Sequence, residues 1–409
     1  MGISVLRLGL QEGETLRRLR LRTIAALGVL AFPFLLPGAH LALAEQAALY
    51  HVQQLGSLGG TTSAGTSINE RGWIAGFSNL AGDDTTHATL WRDGATVDLG
   101  TLGGPNSAVL WPVRNNAGLI VGVAETAEID PLEEAWSCSF FFPSATGHTC
   151  LGFVWQDGEM SALPTLGGNN GFATGVNNLG QVVGWAENTV HDPTCNLPQR
   201  LQFRAVLWDT RHDNLVQELP PLPGDTVSAA TAINDRGQVV GISGICDNAV
   251  GRFSAAHAVL WERGAPTDLG DLGGEAWNTP MAINHRGEVV GFANLPGGDS
   301  GAFNAHAFLW TEAKGMQDLG TLPGDAISQG LGINGRGQVV GLSCGGSGCR
   351  AFLWDGVMTD LNTLVTPDYA GLLVFANDIN DAGQITGQTI DPATGDAVAF
   401  MAAPLSANP

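Results

Sequence analysis

Basic residues are scarce in this chain. Setting aside the first 44 residues, with five arginines and two glutamates, leaves 13 basic residues against 37 acidic ones, a net charge near −24. Such a surface repels nucleic-acid phosphates and anionic lipid, which need clustered Lys and Arg. Cations, neutral sugars, peptides and basic proteins remain as partners. Charge of either sign is thin, at 14% of the chain, and no amphipathic helical stretch stands out after Ala44, which speaks against a helical protein. No Gly-x-Ser-x-Gly elbow, His-Glu-x-x-His pair or phosphate loop occurs, so hydrolase, zinc-protease and nucleotide chemistry lack their usual motifs. Neither a Cys-x-x-Cys nor a histidine at ligand spacing supports a zinc cluster.

What is abundant is glycine, 57 residues of it, much of it in a motif that returns seven times. TAINDRGQVVG, Thr231 to Gly241, recurs as SINERGWIAG, PVRNNAGLIVG, GVNNLGQVVG, AINHRGEVVG, GINGRGQVVG and DINDAGQITG, with its turn glycine at Gly72, Gly118, Gly180, Gly237, Gly287, Gly337 and Gly383. The intervals run from 46 to 62 residues, the period of a propeller or solenoid. In each unit a strand ending in Ile-Asn, the Asn-x-x-Gly turn and an apolar run predict two antiparallel strands, a and b. A third strand, c, ends at Trp91, Trp155, Trp208, Trp261, Trp310, Trp354 and Met401, and a short turn leads to strand d, as in TVDLG before Thr101. Strands b and c are apolar almost without alternation, as expected when both faces of a sheet are covered.

The last unit lacks strand d, while the chain after Ala44 begins with an orphan d-like strand, YHVQQLGSLGG. If Tyr50 to Leu55 completes the last unit, the fold is an all-β propeller of seven four-stranded blades over residues 45–409, closed by its N-terminal strand. Six blades with one irregular unit, or an open β superhelix, are the alternatives; Pro112 and the missing LGG after Leu361 are the weakest matches. Before this domain, Arg17, Arg18, Arg20 and Arg22, the apolar run from Thr23 to Leu36 and Ala42-Leu43-Ala44 predict a secretory signal peptide cleaved after Ala44. A retained anchor is the rival reading, disfavoured by Pro33, Pro37 and the Ala-Leu-Ala site. The expected location is therefore secreted or periplasmic, with no membrane contact after signal removal; AAPLSANP at the end shows no anchor or sorting signal.

His306 to Trp310 (HAFLW), Asp98 to Gly104 (DLGTLGG) and Ala232 to Gly241 (AINDRGQVVG) resemble the HAF-repeat family of probable extracellular repeat proteins. The resemblance covers nearly all of the chain after Ala44. It implies export and a propeller-like body, and brings no catalytic residues.

The loops that carry the length variation join strands b to c, on the same face as the d-to-a LGG loops. Insertions gathered on one face predict the binding face there, around the central channel. All six cysteines fall in these loops, and the geometrically simplest pairing is Cys138 with Cys150, Cys195 with Cys246 and Cys344 with Cys349. Candidate ligand-binding residues are Trp136, Asp225, Asp271, Glu275, Trp277 and Asp325; Asp83, Asp84 and Asp299 are candidate calcium ligands. Apart from such structural calcium, no cofactor is expected. Against these readings stands the ordinary use of Asp and Gly in turns and of aromatics as loop anchors. His87, His257 and His306 share the first position of strand c and read as blade-rim hydrogen bonders.

The expected function is a non-catalytic binding or scaffold module, a monomer, holding a glycan, a protein or a cation on the loop-bearing face. A secreted polysaccharide-acting glycosidase or lyase, with Glu133, Glu134, Asp271 and Glu275 as carboxylates to test, and a purely structural surface protein are the alternatives.

Overall fold

Each Ile-Asn-x-x-Gly motif closes a hairpin because one asparagine uses its whole side chain. In Asn284, Oδ1 accepts the N–H groups of Arg286 (2.9 Å) and Glu288 (3.1 Å), while Nδ2 donates to Glu288 Oε2 (2.7 Å). The turn glycines sit at φ between +73° and +87°, a region L side chains rarely adopt. Further along strand b, the glycine of each Val-Val-Gly serves another purpose: a Cβ at Gly241 or Gly291 would overlap the carbonyl oxygen of Ala229 or Thr279 on the paired strand.

The computed structural model describes residues 49–113, 115–134, 138, 141–212, 214–247, 251–297 and 303–405. The expected signal segment lies outside them. Among the described residues, five four-stranded sheets stand alone, and an eight-stranded one is two blades joined through a single parallel bridge, Thr62 to Ala397, giving seven blades. The N-terminal strand Tyr50–Gln54 pairs antiparallel with Ala397–Pro404 and supplies the outer strand of blade 7. The expected closure is thus the one observed, and neither six blades nor an open superhelix is formed. Both weak repeats have local causes. Strand a of blade 2 stops at Ala108, and Pro112 follows a buried Trp111 outside the sheet. After blade 6 a short 3-10 turn, Leu361–Thr363, capped by Asp360, replaces the LGG loop.

The core is a series of layers between blades. One layer joins Val240, Leu260 and Leu269 of blade 4 to Ile283, Val289 and Phe308 of blade 5; the next joins Val290 and Ala307 to Ile333, Val339 and Phe352 of blade 6. The strand c tryptophans lock these layers to the loop of the preceding blade: Trp91, Trp208 and Trp261 donate their indole N–H to the carbonyls of Gly56, Pro164 and Pro220, at 2.6, 2.9 and 2.7 Å.

The turn asparagines also join blade to blade. Nδ2 of Asn69, Asn177, Asn234, Asn284, Asn334 and Asn380 donates to the backbone carbonyl of the next asparagine around the ring at 2.9–3.2 Å, Asn380 closing on Asn69. Asn115 is the exception, turning its amide to Leu119 of its own turn. Orphaning buried partners costs on the order of 1–3 kcal/mol, so Asn284→Ala is expected to destabilise the ring by about 2 kcal/mol, and Asn115→Ala by about 1 kcal/mol less. Urea unfolding of both variants checks this, and equal losses would contradict the stitching role.

Candidate functional site

Strand a is the innermost strand, in contact with strand a of the next blade from blade 3 round to blade 1, and the residue after each turn asparagine faces the axis. These residues are Glu70, Asn116, Asn178, Asp235, His285, Gly335 and Asp381, and all seven line an axial cavity of about 220 Å³ that opens on the face of the tight turns. They hold one another tangentially. Glu70 N–H donates to Asn116 Oδ1 (3.2 Å), Asn116 N–H to Asn178 Oδ1 (2.7 Å), Asn178 N–H to Asp235 Oδ1 (2.9 Å), Gly335 N–H to Asp381 Oδ1 (2.5 Å) and Asp381 N–H to Glu70 Oε1 (3.0 Å). At Gly335 the side chain is missing because the imidazole of His285 occupies its place; a Cβ there would meet His285 and Asp381. Among the described residues the lining has three carboxylates and one histidine, and no lysine or arginine. The arginines lie one residue further on, at Arg71, Arg236, Arg286 and Arg336.

A second cavity, about 930 Å³, opens on the same face between blades 3 and 4. It lies against the outer strand of blade 3, Leu215–Leu219, and the c-to-d turn of blade 4 at Arg263 and Gly264, with Trp261 in its floor.

The loop-bearing face has a different character, because its loops are spent on holding each other. Cys138–Cys150, Cys195–Cys246 and Cys344–Cys349 are paired as expected, which fits an oxidising compartment. Among the described residues no helix is long and apolar enough to cross a membrane. Asp83 accepts hydrogen bonds from Thr61 N–H (2.8 Å), Thr61 Oγ1 (2.9 Å) and Asn79 Nδ2 (3.1 Å), and the Thr61 N–H above all holds its pKa below the usual carboxylate value. Asp84 is exposed beside it. Asp225 accepts from Ser243 Oγ (2.6 Å). Asp325 pairs with Arg350 (2.9 Å), whose other nitrogen reaches Asp360. Asp271 accepts the Gly273 N–H within its own turn (2.6 Å) and Glu275 is exposed. Trp277 packs edge-on against Phe303 (5.6 Å) and anchors its loop. Trp136 and Asp299 lie outside the described residues. These candidates are scattered over several blades, and among the described residues no three acidic, histidine or cysteine side chains gather as a metal site. His87, His257 and His306 each face the last aspartate of strand d, Asp98, Asp268 and Asp318, at 2.9, 3.4 and 3.0 Å, the rim role expected of them.

Glu134, one of the carboxylates to test under the glycan-acting alternative, is fully buried, and its Oε1 accepts the N–H groups of Arg200 (2.6 Å) and Leu201 (2.5 Å). It caps strand c of blade 3 with the loop of blade 2. Beneath it Glu187 accepts from Asn170 N–H (2.9 Å) and Gln199 Nε2 (2.9 Å), and Asn170 Nδ2 also reaches Asp130 (2.6 Å). Burial, reinforced by the Glu134 charge, pushes the Glu187 pKa up to about 8, and burial raises that of Glu134. Sequence reasoning missed Glu187, although one signal existed: Asn79, Glu125, Glu187 and Asn294 all stand third after the strand b glycine. It likewise passed over the ring of axial residues.

No family model matches the chain, and no curated protein matches it. Among solved structures it is similar to an acylaminoacyl peptidase from Pyrococcus horikoshii (TM-score 0.49, 12% identity, covering 85% of this chain and 52% of that one). It is also similar to the β-propeller domain of the Trilobed protease from Pyrococcus furiosus, described as having an open velcro topology (TM-score 0.48, 9% identity, 87% and 94% covered). A third is Porphyromonas gingivalis dipeptidyl peptidase 4 (TM-score 0.33, 10% identity, 82% and 45% covered). The chain thus spans about half the length of the first and third. At these identities the likeness is one of fold. The expectation of a non-catalytic binding or scaffold module using the loop-bearing face, with its glycan-acting and structural alternatives, is corrected: the two cavities described above open on the opposite face.

Glu187 makes stability depend on pH. Burial raises its pKa from the ordinary glutamate value of 4.5 to about 8 in the folded chain. Between those values the folded state keeps a proton that the unfolded chain releases, so the stabilisation is complete below pH 4.5 and lost as pH rises through 8. Melting temperature is expected to fall from pH 5.5 to pH 8.5, and to fall less in Glu187→Gln. Parallel pH profiles for the two proteins would refute the assignment.

Proposed function

We propose that the chain is an exported peptidase-type propeller that recognises peptides on its turn face, receiving a positively charged peptide group in the axial mouth. The observation that carries this reading is the mouth itself, where Glu70, Asp235 and Asp381 converge within about 220 Å³ and no described lysine or arginine balances them. A rigid ring of carboxylates and amides selects an ammonium or guanidinium by charge and supplies acceptors for its N–H groups. The basic leader, the three disulfides and the HAF resemblance support action in a periplasm or outside the cell.

Binding of a lysine-containing tetrapeptide amide, measured by calorimetry, tests the reading. In a half-exposed mouth each carboxylate contributes on the order of 1 kcal/mol. Asp235→Asn with Asp381→Asn is therefore expected to weaken binding by about thirtyfold, and rising salt to weaken it further in the wild type only. A fully acetylated peptide that binds as well as the cationic one would overturn the reading.

A further inference from the structure

We propose that the cavity between blades 3 and 4 is a carboxylate site for the C-terminal end of a short peptide, with Arg263 and Arg236 as its anion-binding pair. The inference deepens the peptide reading above and rests on it, but uses a different opening and different residues. Its first support is backbone conformation. Arg263 has φ +52° in a turn whose counterparts hold Asp93 at +51° and Asp157 at +53°, each followed by glycine. Asp and Asn tolerate the left-handed region because their short polar side chains bond locally; arginine gains nothing there. A residue kept where turn chemistry disfavours it points to a use for its side chain.

The second support is charge. Arg204, Arg211, Arg286 and Arg350 all have carboxylate partners, whereas Arg236 and Arg263, like Arg71, Arg92 and Arg336, have no ion pair among the described residues, although acids greatly outnumber bases; of these only Arg236 and Arg263 line the cavity. Arg236 makes one weak bond, to the carbonyl of Arg286 at 3.5 Å. Both line the same cavity, leaving two planar donor forks to bind a carboxylate.

The remaining wall suits a peptide. Gln217 presents an amide, a donor and an acceptor as a peptide group requires, and Gln181 adds its amide N–H groups, its Oε1 accepting from Asn177 (2.8 Å); Gln238 is held between Asn234 (2.8 Å) and Glu262 (2.5 Å). Trp261 is buried beneath the cavity, with its indole N–H donated to the Pro220 carbonyl (2.7 Å), and makes that side rigid. A volume of about 930 Å³ accommodates a short segment. Glu262 and Glu312 also line the cavity and disfavour a dianion, so a carboxylate fits better than a phosphate. Finally, Asp235 lines the axial mouth and the next residue, Arg236, lines this cavity. A peptide with free ends finds acidic and basic recognition on either side of one turn.

The test compares Lys-Ala-Leu-Ala as free acid and as C-terminal amide by calorimetry. The wild type is expected to bind the acid at least about tenfold more tightly, or 1.4 kcal/mol. Arg263→Asn places a better turn former at that position, so its melting temperature is expected to hold or rise while the acid-to-amide ratio falls to within about twofold. Arg236→Gln lowers the same ratio. Equal wild-type affinities for acid and amide, or a ratio that survives Arg263→Asn, overturn the proposal. Asp235→Asn with Asp381→Asn weakens both peptides and leaves the ratio intact; if it weakens neither while the ratio stands, the mouth reading fails and the carboxylate site survives. Absence of binding by either peptide overturns both.

Discussion

The saturated amide of the turn asparagine is the contact on which the ring depends. One side chain closes its own hairpin through two backbone N–H groups and reaches the neighbouring blade through a carbonyl, as Asn234 does with Arg236, Gln238 and Asn284. Because no donor or acceptor is left over, the turn has little freedom, and the residue that follows is delivered to the axis in a defined orientation. The variable inner ring, from Glu70 to Asp381, is therefore a set of interchangeable side chains on an invariant hydrogen-bonded frame. That separation of frame from content is what a recognition surface needs.

The opposite face solves another problem. Its long loops bring polar backbone over the blades and must satisfy it locally. Glu134 does this by capping Arg200 and Leu201, and Asn170 by joining Cys150, Asp130 and Glu187. The disulfide between Cys195 and Cys246 joins the loops of blades 3 and 4, and Asn196 N–H reaches the Asp247 carbonyl beside it (2.8 Å). These loops are long because they reach across blade boundaries, and their polar groups are largely consumed in doing so.

This explains which features were legible in the sequence. Anything that repeats in register could be read: seven turns, the closing strand at Tyr50, the histidine rim and the three disulfides. Loop length pointed to the face opposite the two cavities, because an insertion looks the same in sequence whether it surrounds a ligand or clamps a neighbouring blade. Trp277 shows the difficulty, since an aromatic outside the strand register reads equally as a stacking surface or as the anchor it is against Phe303. Glu187 was obscured for another reason: its raised pKa comes from burial and from Glu134, more than fifty residues earlier in the chain. The axial ring was visible as the variable letter in every Ile-Asn-x motif, but its meaning depends on strand a being innermost, which only the assembled blades establish.

A net charge near −24 beyond residue 44 opposes an anion site anywhere on this molecule, and distance resolves the conflict. At physiological ionic strength charges more than about 8 Å apart are largely screened, so an incoming carboxylate responds mainly to the side chains it touches. On the turn face those alternate by position: acids at the axis, then Arg71, Arg236, Arg286 and Arg336 one residue on, with Arg92, Arg263 and Lys314 in the outer turns. The excess of acids elsewhere slows the approach of an anion more than it weakens its contact with Arg263. The same excess attracts cations toward the molecule, so a peptide carrying both charges is drawn in by its positive end and held in place by its negative one.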